Sequence, residues 1–320
     1  MTASTTPIPG SSTPNSSTRG SQTPENAGSQ QPGPNARPNA TATVSVVFVT
    51  YNSAAVIAAA VASVPAGCDV VIVDNASPQG TGWYEALARP ARLVEMGRNA
   101  GFGAACNAGA RAATTPYILF LNPDARLGPD TVETLLAAAR LYGEPAILMP
   151  AIVSEDGRLM RKEGTIFEQV PRSARLKSQE IAGDYCTRFV HGAAFLVSRA
   201  AFFELGGFDE GIFLYHEDDD LSLRAIARQV PIIVVPGAQV VHEGGGSSTP
   251  GLKQTFRINR FKQQSENFVR AKYGRPRSRL ALAAKLAGGC LLAALLANPH
   301  RVMVRAGKLW GVFDPPARQG

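Results

Sequence analysis

At 320 residues, with 45% apolar and 18% charged side chains, the chain can bury the core of one large domain or two small ones, which excludes disorder throughout. The net charge of +7 is unevenly placed: nine Lys or Arg and a single acid, Glu266, lie between Lys253 and Arg279, an excess suited to an anionic partner such as nucleic acid, acidic lipid or a phosphorylated substrate. Cys68, Cys106, Cys186 and Cys290 are widely spaced with no C-x-x-C pair, which argues against a disulfide framework or zinc site and for small buried residues in a reducing compartment.

Residues 1–42 are built from Ser, Thr, Pro, Gly, Asn and Gln and hold too little apolar surface to offset chain entropy, so a disordered tail is expected there. They show neither the basic start nor the apolar run of a signal peptide. At Val44 the character changes. "VSVVFVTYN" reads as a strand buried on both faces, "SAAVIAAAVASV" as a helix, and "CDVVIVDNAS" as a second buried strand. Strand, helix, strand at this spacing predicts a βαβ unit and hence a parallel sheet with right-handed crossovers. "ARLVEM" reads as a third strand, "GFGAACNAGARAA" as a Gly- and Ala-rich helix close to the sheet, and "PYILFLNPDA" as a fourth strand. In "PDTVETLLAAARLYG", Asp130 and Glu133 suggest a capping box, and Gly143 stops the helix. Farther on, "RFVHGAAFLVSRAAFFELGGFDE" suggests a strand, a helix and a Gly-Gly turn. An acidic helix start, a strand "VPIIVV" and a loop with "VVHEGGGSS" follow.

Three strands end in polar groups: Thr50-Tyr51-Asn52, Asp74-Asn75 and Asn122-Pro123-Asp124. Any one cluster suits a turn or a helix cap. Three at successive strand ends suit a ligand crevice, which in open α/β sheets lies beyond the carboxyl ends of the strands. The run Glu217 to Asp220 has three readings: acids that complement a helix dipole, a metal site, or a general base. Beyond the basic segment, "LALAAKLAGGCLLAALLA" falls short of the roughly 20 apolar residues of a spanning helix. Its basic flanks suit a helix lying on an anionic membrane; a soluble cap and a true span are the other readings. No nucleic-acid motif accompanies the charge.

Taken in order, "VSVVFVTYN", "VIVDNAS", "NAGFGAACNAG", "YILFLNPDA", "GGFDEGIFLYHEDDDLSLR" and "VVHEGGGS" resemble the inverting family 2 glycosyltransferases of GT-A fold, in particular the rhamnosyltransferase-like branch. The resemblance implies an α/β, Rossmann-like, mostly parallel sheet flanked by helices over residues 43–250, with a nucleotide-sugar-binding half (43–125) and an acceptor half (126–250). Residues 251–320 would be a helical, possible membrane-contacting extension. It implies donor contacts from Thr50, Tyr51, Asn52, Asp74 and Asn75, and from Asn122 and Asp124. Asn99, Gly101 and Asn107 are expected to support them, unless they only pack the helix. "LNPDA" stands where the family carries D-x-D, with Asn122 in place of the first acid. Asp124 and His242 would then hold Mg²⁺ or Mn²⁺, although a lone His also suits a structural role. In the family's ED-x-D pattern the base falls on Asp218, with Glu217 and Asp220 in support and Asp219 only a charge at the helix start. His191 and Gly192 would run along the acceptor side, and His216 suits an acceptor contact or a structural role equally. The implied reaction moves a sugar from a nucleotide sugar, dTDP-rhamnose or a UDP-sugar, to a glycan or lipid-linked glycan hydroxyl at the cytoplasmic face of the membrane. A nucleotidyltransferase would carry a Gly-rich basic loop after the first strand, which "VTYNSAAV" does not, and a catalytically silent binding protein would have lost Asp124, Asp218 or His242.

Overall fold

A computed structural model describes residues 41–168, 183–243 and 251–315, which fall in one compact unit. The expected tail lies outside the described residues except for its last two, as does the glycine run after Glu243. The strands are β1 (Val44–Thr50), β2 (Asp69–Asp74), β3 (Arg92–Glu95), β4 (Tyr117–Leu121), β5 (Ala125–Leu127), β6 (Ile147–Val153), β7 (Tyr185–Thr187), β8 (Ala194–Ser198) and β9 (Ile232–His242). They form one sheet in the order β3-β2-β1-β4-β8-β6-β9-β5, with β7 also on β9. The helices are α1 (Ile57–Ala62), α2 (Phe102–Ala112), α3 (Thr131–Tyr142), α4 (Arg199–Glu204), α5 (Glu217–Ala227), α6 (Leu252–Lys272), α7 (Arg279–Leu295) and α8 (Pro299–Phe313).

The β-branched runs explain the sheet. Val46 and Phe48 of β1 enter one apolar cluster with Ile72 and Leu119, while Val47 and Val49 enter the opposite cluster with Val71, Val73 and Phe120. A strand buried on both faces reads as a continuous apolar run. On the second face Gly109 of α2 lies over Val47 and Val73, where a methyl group would overlap Val47.

The parallel register read from the first strands holds for β3-β2-β1-β4. Past β4 the sheet is mixed: β8 runs antiparallel to both β4 and β6, β9 is parallel to β6, and β5 and β7 are antiparallel to β9. Parallel pairing is therefore half of the design rather than most of it. The capping box does not form, because Asp130 is left-handed (φ 52°) and its side chain makes no cap bond. Thr131 Oγ1 instead donates to the Gln239 carbonyl at 2.6 Å, tying α3 to β9. All four cysteines are free, but only Cys68 and Cys106 are buried; Cys186 points outward from the short strand β7 and Cys290 is half-buried.

The C-terminal helices are joined to the core through α6. Gly307 and Gly311 of α8 lie against the backbone of α6 at Phe256 and Arg260, where any side chain would overlap. Arg260 pairs with Asp314 at the far end of α8. Among the described residues no helix is long and apolar enough to cross a membrane.

Candidate active site

The carboxyl ends of β1, β2 and β4 open into a cavity of about 600 Å³ whose lining includes Tyr51, Asn75, Asn99, Gly101, Asn122, Asp124, His191, Gly192, Glu217, Asp218 and His242. This volume suits a ligand of nucleotide size. Most of the expected site residues thus converge on one place.

Some of them line the cavity and others hold it open. Thr50 and Asp74 are buried behind the lining. Thr50 Oγ1 donates to Asp74 Oδ1 at 3.1 Å, and Ser77 donates its hydroxyl to Oδ1 (2.5 Å) and its N–H to Oδ2 (2.9 Å). Ser77 Oγ in turn accepts the Asn52 N–H at 2.9 Å, with Asn52 itself left-handed at φ 58°. Asp74 therefore braces the loop that carries Tyr51 and Asn52, and has little acceptor capacity left for a ligand.

Asn75 staples the next loop. Its amide donates to Asn99 Oδ1 (3.1 Å) and to the Gly101 carbonyl (3.2 Å), and its Oδ1 accepts the Ala100 N–H at 3.0 Å. Gly101 has φ 95° and lies so close to the Phe213 carbonyl that a Cβ would overlap it, so only glycine fits. The same carbonyl accepts the Phe102 N–H at 3.0 Å, clamping the Phe213–Tyr215 loop onto the start of α2. Asn107 is a correction. It faces away from the cavity, and its amide is used up on the backbone N–H and carbonyl of Phe208 (both 2.9 Å) and on Glu210 (2.9 Å). One helical turn beyond the N-terminus of α2, it fixes the Gly-Gly turn rather than a donor.

Strand pairing explains how "NPD" meets "VVHE". β5 pairs with the end of β9 so that Ala125 faces His242, which places His242 beside Asp124. His242 is thus the last residue of a strand and not part of a loop. Its Nε2 lies 3.1 Å from Asp124 Oδ1 and 3.4 Å from Asn122 Nδ2, while its buried Nδ1 has no partner among the described residues. Among those residues no cluster of three or more His, Cys, Asp or Glu could hold a metal ion. A carboxylate and an imidazole side by side on a cavity still fit a divalent cation that takes its other ligands from diphosphate and water, with the nitrogen favouring Mn²⁺ over Mg²⁺.

The acidic run begins α5, which follows two consecutive left-handed residues, Tyr215 (φ 67°) and His216 (φ 69°). Such backbone is uncommon for residues with side chains and costs roughly 1–2 kcal/mol each. Here it turns the chain so that Glu217 and Asp218 enter the cavity. Glu217 is buried with no partner for Oε2 among the described residues, and burial, then the Asp218 charge, pushes its carboxyl up to about 8. Asp218 Oδ1 accepts the Asp219 N–H at 2.9 Å. Burial raises its carboxyl to about 6, with Lys162 and His216 pulling the other way. Gly192 faces it: a Cβ there would sit 3.9 Å from Asp218 Oδ2. Nearby His191 is held neutral, its imidazole lowered to about 4 by burial and then by the charges of His242 and Lys162.

Asp219 is more than a charge at a helix start. It is buried and accepts from Lys162 Nζ (3.1 and 3.2 Å), from His216 Nδ1 (2.8 Å) and from the Ile166 N–H (2.8 Å). His216 therefore has a structural partner and is not in the cavity lining. Asp220 reaches the extension, contacting Arg224 Nε (2.8 Å), Tyr273 OH (3.0 Å) and Lys272 Nζ (2.6 Å). The sequence reading missed Phe213, Tyr215, Arg257 and Phe261 in the lining. The last two come from α6, whose basic character was the only sign of them.

The strand-end cavity has the Asp124–His242 pair on one side and the raised carboxyl of Asp218 on the other, and the family model for glycosyl transferase family 2 matches residues 45–206. The chain belongs to glycosyltransferase family 2. It is an enzyme of that class, which ends the nucleotidyltransferase and silent-binder alternatives. Family 2 relatives include the N-acetylglucosaminyl-diphospho-decaprenol L-rhamnosyltransferase of Mycobacterium tuberculosis, 28% identical over 239 residues (63% of this chain, 76% of the relative). Rhamnosyltransferase WbbL of Escherichia coli K12 is 25% identical over 157 residues, covering 46% of this chain and 60% of its own. Among solved structures, GalNAc-T7 with UDP, GalNAc and Mn²⁺ shares the GT-A fold at a TM-score of 0.51 and 20% identity; the match covers 72% of this chain and 51% of that one.

Proposed function

We propose that this family 2 enzyme transfers the sugar of a nucleotide sugar, dTDP-rhamnose first and a UDP-sugar second, to a hydroxyl of a lipid-linked glycan at the cytoplasmic face of the cell membrane. The named activity of the mycobacterial and enterobacterial relatives supports the choice of sugar, and the mycobacterial name supports the acceptor. The donor half would be residues 43–125 and the acceptor half 126–250. One observation carries the chemistry: Asp218 and the Asp124–His242 pair line the same cavity.

The reaction is a single displacement with inversion. The Asp218 carboxylate takes the proton of the acceptor hydroxyl as its oxygen bonds to the anomeric carbon. The bond from that carbon to the diphosphate breaks on the opposite face, and the nucleoside diphosphate leaves. Asp218, raised to about 6, is mostly ionised at pH 7 yet basic enough to accept the proton. Asp124 and His242 would hold Mg²⁺ or Mn²⁺, and a bound cation offsets charge on the departing diphosphate. Tyr51 offers an aromatic face to the base, and Asn122 an amide beside the cation. Neutral His191, with Gly192, leaves an uncharged acceptor side next to Asp218.

A thermal-shift screen of nucleotide sugars with and without Mn²⁺ tests the donor. A ligand that binds only the folded state raises Tm by mass action, so dTDP-rhamnose with Mn²⁺ should give the largest rise. A larger rise with a UDP-sugar would replace the donor, and no rise with any nucleotide sugar would defeat the reading.

A further inference from the structure

The hairpin of α7 and α8 exposes an apolar surface that the other described residues leave uncovered. Only Ala293 of α7 is buried, whereas Leu280, Leu291 and Leu295 are 78%, 64% and 76% exposed. At 100° per residue these three fall on one side of the helix with Ala284, Ala287 and Gly288, all exposed as well. Leu292 and Lys285 close one margin of that arc. The opposite side, through Leu286, Gly289, Cys290 and Ala293, is the less exposed one. It packs on α8: Cys290 Sγ contacts the Val302 carbonyl at 3.9 Å, and Arg305 of α8 caps the Gly289 carbonyl. Leu296, Trp310 and Phe313 are also more than half exposed.

The charge around this surface has one sign. From Asn267 to Phe313 there are nine Lys or Arg and no Asp or Glu. Arg275, Arg277 and Arg279 before the face, Lys285 at its margin and Arg301 after it are exposed. We infer that the outer face of α7, with its basic margin, docks in plane on a bilayer containing anionic phospholipid. At 17 residues α7 is about 25 Å long, short of the roughly 30 Å hydrocarbon core, which suits a helix lying at the interface. Two copies of this surface would bring their cationic margins together, which disfavours a dimer through it.

The docking surface and the cleft are linked through α6. α6 lines the cavity with Arg257 and Phe261 and is backbone-close to α8 at Gly307 and Gly311. Docking would hold the cleft near the membrane, where a lipid-linked acceptor presents its glycan. That consequence rests on the function proposed above; the docking itself does not.

Cosedimentation of the full chain with phosphatidylcholine vesicles, with and without phosphatidylglycerol, tests the inference. The chain should pellet with the anionic vesicles and be released by salt. L291E/L295E should weaken partitioning by roughly tenfold or more with unchanged Tm. Arg279→Gln and Lys285→Gln should each weaken it about fivefold. No pelleting with either vesicle, or equal pelleting of wild type and L291E/L295E, would overturn the inference. So would sedimentation velocity showing a dimer that the same pair of substitutions dissolves, which would make the face a contact between copies. The thermal shift with nucleotide sugar, read on the same variants, reports separately on the glycosyltransferase reading and should not change.

Discussion

On the strand-end wall of the cleft, Asn75 commits both arms of its amide to the loop at Asn99–Gly101, and Asp74 is surrounded by Thr50 and Ser77. On the facing wall, Glu217 has a buried oxygen with no partner among the described residues, and Asp218 has one backbone N–H and a carboxyl made less acidic by burial. A satisfied polar network is rigid and electrically quiet, so the first wall is suited to shape and position. A carboxylate removed from water without full compensation is poised to take a proton, so the second wall is suited to chemistry. The cost of the second wall is contained by its neighbours: Asp219 is paired with Lys162 and His216, and Asp220 with Arg224, Lys272 and Tyr273. One run of four acids thus holds two groups that are uncompensated and two that stabilise their setting.

The largest effect expected from breaking this contrast is at Asp218. Asp218→Asn should lower kcat by roughly 10²–10⁴-fold, the usual worth of a positioned base. Donor-induced thermal shift should survive, because the substitution leaves the strand-end wall intact. The variant should also be more stable at neutral pH, since it removes a buried carboxylate. Folding stability that rises while turnover collapses separates a base from a structural acid; unchanged turnover would remove Asp218 from the mechanism.

A smaller effect belongs to Asp124 and His242, the pair proposed to hold the cation. Asp124→Asn or His242→Ala should raise the Mn²⁺ concentration needed for half of the donor-induced shift by roughly tenfold or more. Donor stabilisation without metal should be nearly that of the wild type. If neither variant changes the metal dependence, the cation is held elsewhere.

Much of the strand-end wall was legible in the sequence because its elements are local. An apolar run that stops at Thr50-Tyr51-Asn52 or Asp74-Asn75 reports both a strand and the polar end it presents. What was not legible depends on long-range pairing. β6 was missed because Pro150 interrupts it; it is accommodated at an irregularity, where the register with β9 jumps between Pro150 and Ala151. The contact of Asp124 with His242 needs the three-residue strand β5, too short to carry a periodic signal. Asp219 looked like a solvated helix start because Lys162, its main partner, lies 57 positions earlier. Asn107 looked like a ligand contact because a Gly-rich stretch serves equally for close helix packing, and here its partner is the turn at Phe208, 101 positions away. Arg257 and Phe261 belong to a helix whose basic and apolar residues are interleaved, so no motif announced that it reaches the cleft.

The smallest effect sharpens the contrast within the run itself. Glu217, at about 8, is neutral in the folded protein at pH 7 and ionised in the unfolded chain, whose ordinary value is 4.5. A carboxyl raised by folding contributes stability that is complete below pH 4.5 and is lost as pH rises to about 8. Glu217→Gln keeps the shape and the neutral state, so it should leave stability unchanged at pH 4 and raise it by more than about 1 kcal/mol at pH 8, read from denaturant midpoints. Turnover at pH 7 should change little, because an amide stands in for the protonated acid beside Asp218. The acid limb of kcat/KM, set by ionisation of Asp218 near 6, should stay in place, because Glu217 is already neutral there. A large fall in turnover with the acid limb lost would mean that Glu217, and not Asp218, takes the proton. The roles of the first two acids would then have to be exchanged.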